Sequence, residues 1–332
     1  MKFFAIIAFA IALTACGSSK AKTEQAEKSE SVTMYSPVAE FDSERAYSYI
    51  KTQVEFGPRV PGTEGHRKCA EYIESQFRKF GADSIIVQEG TMTAFNGDVL
   101  PVKNIMAMYY PNARRRILLV AHYDTRPWAD NETDENKRKQ PIPGANDGAS
   151  GVGVLLEIAR KLNALSPKVG VDILMVDAED YGDGESAGNT EDTWCLGTQM
   201  WGREMPYGAD IVRPSYGIVL DMVGGEDAVF YREHTSELAA RGVNDRIWGM
   251  AASSPYASKF INRVAGYIVD DHLYVNRVGI PCVDIVECNN AITGAFPPTW
   301  HTHSDDLQHI DKSTLKAVGQ VVLDVIYSED EE

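Results

Sequence analysis

The sequence predicts one α/β domain, a mixed but mostly parallel β-sheet flanked by helices. Three observations predict it. Short, almost wholly apolar runs recur at 117–120, 171–176, 217–220 and 282–286, and continuous runs of that length suit central strands covered on both faces. Stretches with apolar residues at three- and four-residue spacing separate them, which is helical periodicity. An Asn96-Gly97 dipeptide between two β-like runs adds a tight antiparallel hairpin.

Residues 1–15 read as an address. Lys2 precedes eleven apolar residues, 3–13, too few for the ~20 of a membrane-spanning helix and typical of the core of a signal peptide. Leu13-Thr14-Ala15-Cys16 resembles the bacterial lipobox, which implies cleavage before Cys16 and its lipidation. The expected product is an exported lipoprotein held in the cell envelope, touching the membrane only through the anchor at Cys16. Residues 16–37 are mostly polar and low in complexity and predict a flexible linker. The domain is expected over 38–332.

Within it, residues 63–80 carry apolar side chains at 69, 70, 73, 77 and 80, with Thr63 as N-cap and Gly81 as stop. The hairpin follows, read as two edge strands, the second continuing to 110. From 117 onward the chain repeats an apolar run, a polar cluster and a helical stretch, such as 152–162. No internal repeat or second domain boundary interrupts this.

Of the 332 residues, 44% are hydrophobic and 24% charged, which excludes a wholly disordered or multi-span membrane chain. The net charge of −16 disfavours nucleic acid and anionic lipid surfaces and attracts a cationic peptide amino terminus. Cys69, Cys195, Cys282 and Cys288 show no C-x-x-C spacing, so a cysteine metal site is not expected, and their pairing stays open.

Polar clusters stand where the apolar runs end: His122-Tyr123-Asp124, Glu179-Asp180 and Asp221. In open α/β sheets ligands bind beyond the carboxyl ends of the strands, so these clusters are expected to converge. Asn146-Asp147-Gly148 adds a carboxylate before a helix, and Trp300-His301 an imidazole before the last one. Each has an ordinary reading alone: a strand-end histidine, two solvated loop acids, a turn aspartate. Together they form a metal-ligand inventory, because ionised groups at buried strand ends need a metal or partner to offset desolvation. Asp124 is placed to orient His122 from behind.

These residues, in this order, resemble the zinc exopeptidase superfamily of aminopeptidases, from Gly57-Pro58-Arg59 to the carboxyl end. Asp270-Asp271-His272 followed by Gly279-Ile280-Pro281, Trp300 before His301, and His122-Tyr123-Asp124 resemble, within it, the animal-type glutaminyl cyclases. The resemblance implies one zinc per chain on Asp147, Asp180 and His301, an acid/base at Glu179, supporting acids at Asp221 and Asp270, and Trp300 beside a substrate glutamine. Trp194 and His122 are further candidate substrate contacts, with Arg126 and Trp128 at the entrance. Asp180 stands where the family more often has Glu, Asp284 where the animal enzymes have His, and the polar stretch 185–194 is an added loop. The implied reaction converts the amino-terminal glutamine of peptides and proteins to pyroglutamate with release of ammonia.

Two other readings stay open. A di-zinc aminopeptidase would use His122 and Asp221 to complete a second site bridged by Asp147, and a non-catalytic surface lipoprotein would only bind peptide or metal. His66, His234, His303 and His309 are expected on the surface or on helices, with His303 the rival of His301 as ligand.

Overall fold

Helices begin where a side-chain oxygen can take the first unpaired amides. Asp42 does so for α1 (Ser43–Glu55) and Thr63 for α2 (Glu64–Lys79), and Gly81, at φ +66°, ends α2 as expected. β1 (Ser84–Thr93) and β2 (Val99–Tyr109) form the hairpin, turning at Gly97 with φ +90°. There follow β3 (Arg116–His122), the single turn α3 (Glu135–Arg138), α4 (Ser150–Ala164), β4 (Gly170–Val176), α5 (Leu196–Arg203) and β5 (Tyr216–Asp221). The rest comprises β6 (Phe230–Glu233), α6 (His234–Ala252), β7 (Phe260–Ala265), α7 (Asp271–Arg277), β8 (Cys282–Val286) and α8 (Lys312–Ser328). The computed structural model describes residues 35–208 and 210–330; the leader, Cys16 and nearly all of the expected linker lie outside them. Tyr35, near the linker's end, donates its hydroxyl to Asp324 of α8. No helix among the described residues is long and apolar enough to cross a membrane.

The sheet runs β1-β2-β4-β3-β5-β8. β4, β3, β5 and β8 are parallel, and β1 and β2 join antiparallel. All four apolar runs are strands, and alternation explains why they are apolar throughout. Ile117, Leu119 and Ala121 pack into one core with α1, α4 and α8, whereas Leu118 and Val120 pack into another with Trp201 of α5 and Val275 of α7. Two acids stand inside the runs, Asp172 and Asp284; Asp172 is buried against Arg116 and accepts the Tyr207 hydroxyl at 2.9 Å.

Two features differ from expectation. Only β1 is an edge strand of the hairpin, because β2 also pairs with β4 through Ile105–Tyr109. That half of β2 is buried and apolar, so it behaves as a two-sided strand. A separate parallel pair, β6 with β7, was not expected; its strands are short and bulged between Tyr231 and Arg232, which leaves little periodicity to read.

Candidate metal centre and active site

The carboxyl ends of β3, β4 and β5 deliver His122, the loop after Asp177, and Asp221 to one place. Backbone amides hold these loops. The Asp124 carboxylate accepts the amides of Glu179 at 3.1 Å and Asp180 at 3.2 Å. Arg126 donates to the carbonyls of Asp180 and Gly182 at 3.1 and 2.9 Å. Asp305 accepts the amides of Asn146 and Asp147 at 2.7 and 3.1 Å. Ala178, Cys195, Met222 and His301 all have left-handed φ, between 47° and 54°. For residues with a Cβ that costs roughly 1–2 kcal/mol each, a strain that accumulates at functional sites.

Asp147, Asp180 and His301 meet, with one ligand atom from each within 4.8 Å of the others. His301 Nε2 lies 3.1 Å from Asp180 Oδ1 and 3.6 Å from Asp147 Oδ2. Asp180 Oδ2 is buried with no hydrogen-bond partner. Burial, with Arg126 nearby, pushes the His301 imidazole down to about 3, so at neutral pH it is the uncharged ring a metal requires. One neutral nitrogen, two carboxylates and an orphaned oxygen beside an open cavity fit a three-ligand zinc site with a free fourth position. Asp180, though one methylene shorter than the glutamate usual in the family, reaches the group. His303 does not compete, since it contacts Glu132 at 3.0 Å instead.

A second group shares Asp147. His122 Nε2 sits 3.3 Å from Asp147 Oδ1 and 3.1 Å from Asp221 Oδ1. Asp124 is 3.5 Å from His122 Nδ1, an atom with no hydrogen-bond partner, so its firmer contacts are to the Glu179-Asp180 amides and not to the imidazole.

Glu179 is 8% exposed. Burial and the charges of Asp270 and Asp180 push its carboxyl well up. The Cys195 thiol donates to its Oε1 at 3.3 Å, a contact without any sequence signal. Asp270 caps α7 and leaves Oδ2 unpartnered; burial and the charges of Asp284 and Asp221 push it up as well. Asp284 is buried beside His272 at 3.4 Å, and the opposite nitrogen of His272 is 3.1 Å from Glu233. The carboxylate in place of the animal histidine therefore faces an imidazole.

Trp300 stacks on His301 with centroids 3.8 Å apart, and Trp194 lies 6.5 Å from the same ring, near parallel. Both line a 250 Å³ cavity together with Asp147, Glu179, Asp221 and Asp270. His122 is absent from that lining and sits behind Asp147 and Asp221. Arg126, expected at the entrance, is buried. His66, expected on the surface or on a helix, lies on α2 with its ring buried, 2.8 Å from Asp177 and stacked on Tyr123. All four cysteines of the domain are free thiols.

Residues 104–326 match the profile of peptidase family M28. The structure resembles a crystal structure of Bacteroides thetaiotaomicron glutaminyl cyclase bound to N-acetylhistamine, with TM-score 0.84 and 48% identity, covering 88% of this chain and 99% of that one. It also resembles a structure from the same species described as a leucine aminopeptidase precursor, with TM-score 0.83 and 47% identity, covering 88% and 99%. A curated relative, the glutaminyl-peptide cyclotransferase of Boiga dendrophila, is 23% identical over 80% of this chain and 75% of its own length. The chain belongs to peptidase family M28.

Proposed function

We propose that the protein is a glutaminyl cyclase that converts the amino-terminal glutamine of peptides and proteins to pyroglutamate and ammonia, with one zinc per chain. The observation that carries this is a buried, raised glutamate beside a three-donor metal set, in a small cavity flanked by two indoles. Relatives named for the same reaction support it.

Asp147, Asp180 and His301 would hold the zinc, which would supply Lewis acidity toward the side-chain carboxamide of the substrate. The peptide's α-amine attacks its own carboxamide carbon. Because nucleophile and electrophile share one residue, orientation replaces water activation, and effective molarities of roughly 10⁵–10⁸ M are available to such reactions. Glu179 takes the proton from the attacking amine and returns it to the departing nitrogen, which leaves as ammonia. Cys195 fixes the rotamer of Glu179 by holding Oε1. Asp221 and Asp270 place acidic groups around the amino terminus, which attacks as the neutral amine, and Trp300 and Trp194 exclude water from the glutamine side chain.

The second reading is a di-zinc aminopeptidase. His122, Asp147 and Asp221 favour it, since they make a second candidate ligand set sharing Asp147. Metal analysis with product analysis separates the two: one zinc and ammonia from a glutaminyl peptide, or two zincs and a free amino acid. We also propose that Cys16 carries a lipid anchor that tethers the domain in the cell envelope; Cys16→Ser is expected to move the protein from the membrane to the soluble fraction.

A further inference from the structure

Next to the metal-facing cavity lies another, of 370 Å³, and Asp183 and Gly184 line both. One wall is aromatic. Phe95, at the tip of the β1–β2 hairpin, is 44% exposed, and its ring meets Trp128 at 6.0 Å. Trp128 in turn meets Tyr181, the residue after Asp180, at 5.1 Å. Arg126 ties the two cavities together, its guanidinium carbon lying 4.8 Å from the Trp194 ring and 5.3 Å from the Trp128 ring. An indole in the metal-facing cavity and an indole in the neighbouring groove are thus bridged by one guanidinium. Two or three residues of extended chain, ~3.3–3.6 Å each, cover such a span.

We propose that this groove is a downstream subsite that receives a large apolar side chain, aromatic by preference, from the third or fourth residue of the substrate peptide. The inference rests on the cyclase reading, which places the first residue at Glu179 and Trp300. Continuity with that cavity sets the occupant: a peptide leaving it over Asp183 and Gly184 enters the groove directly. Phe95 and Trp128 both line it and meet each other edge to face, an arrangement that a third aromatic ring can extend. Arg138 and Lys139 also line the groove, beside Asp130, Glu135, Asp183 and Glu185, so its charge is mixed, and an acidic side chain drawn to the two cations is the competing occupant included in the test.

The test compares kcat/KM of the parent enzyme for the amides of Gln-Ala, Gln-Ala-Ala-Ala, Gln-Ala-Phe-Ala, Gln-Ala-Ala-Phe and Gln-Ala-Ala-Glu, followed by ammonia release. One phenylalanine peptide is expected to exceed the all-alanine peptide by about tenfold, equivalent to ~1.4 kcal/mol. Phe95→Ala is expected to reduce that preference to within about threefold while the Gln-Ala rate stays unchanged. Equal rates for all four tetrapeptides, a preference for glutamate, or a phenylalanine preference untouched by Phe95→Ala overturns the subsite and leaves the cyclase reading standing. Absence of ammonia from every peptide overturns both.

Discussion

A proton shuttle must be shielded from water and still touch two nitrogens, and Glu179 meets the first condition through burial among acids that push its carboxyl up. Glu179→Gln keeps shape and loses the proton acceptor, so turnover of a glutaminyl peptide is expected to fall roughly 10²–10⁴-fold with bound zinc unchanged by metal analysis; a fall under tenfold contradicts the role. Cys195→Ala removes one weak donor to the same carboxyl. The expected loss in kcat is about fivefold, equivalent to ~1 kcal/mol, and Cys195→Ser, which restores a donor, is expected to recover most of it; no recovery means that the thiol acts only by filling space. Of the candidate ligands, Asp147 and Asp180 were legible because each is an acid just ahead of a helix or just past an apolar run, whereas His301, in the long loop between β8 and α8, was singled out by the family resemblance. Cys195, Asp305 and the burial of Arg126 were not legible. Their partners are a carboxyl, amides and carbonyls remote in the chain, and no local pattern marks such a contact.

At the scale of elements, α4 carries Asp147 at its approach and must lie close on the sheet. A Cβ added at Gly151 would stand 2.1 Å from the Leu220 carbonyl oxygen, and that oxygen belongs to β5 and cannot move alone. Gly151→Ala is expected to destabilise by about 1–3 kcal/mol or more, read from the urea midpoint; a change under about 0.5 kcal/mol contradicts this packing. At the start of α6, burial works against ionisation of Glu233, but His272 and the amides of Thr235 and Ser236 hold it at about 2, below its ordinary 4.5. A carboxyl depressed on folding stabilises above its unfolded pKa and loses that contribution as pH falls toward the folded one. The contribution is at most about 3 kcal/mol. Parent protein is therefore expected to lose stability between roughly pH 4.5 and 2 more steeply than Glu233→Gln, and parallel urea-midpoint profiles across that window contradict it. The parallel strands were legible because burial on both faces writes a continuous apolar run. The inner position of β2 was missed because only its second half is two-sided, and β6 with β7 because strands of four and six residues with a bulge carry no lasting period.

Over the whole molecule, the end of β5 and the loops ahead of α4, α5, α7 and α8 bring Asp147, Glu179, Asp180, Asp221, Asp270 and His301 around one cavity, in a chain of net charge −16. Such an acid cluster is self-repelling without a cation, so removing zinc with a chelator is expected to lower the melting temperature by several degrees and zinc to restore it. The sheet order converging these groups was implied by the strand-end rule, whereas the direction of each side chain depends on the left-handed turns at Ala178, Met222 and His301, which residues with a Cβ do not advertise. The most direct measurement is mass spectrometry of a glutaminyl peptide incubated with the zinc-loaded protein, run beside metal analysis of the same sample. Loss of one ammonia from an otherwise intact peptide, at one zinc per chain, is the expected result; release of free glutamine with the shortened peptide, at two zincs per chain, would contradict it.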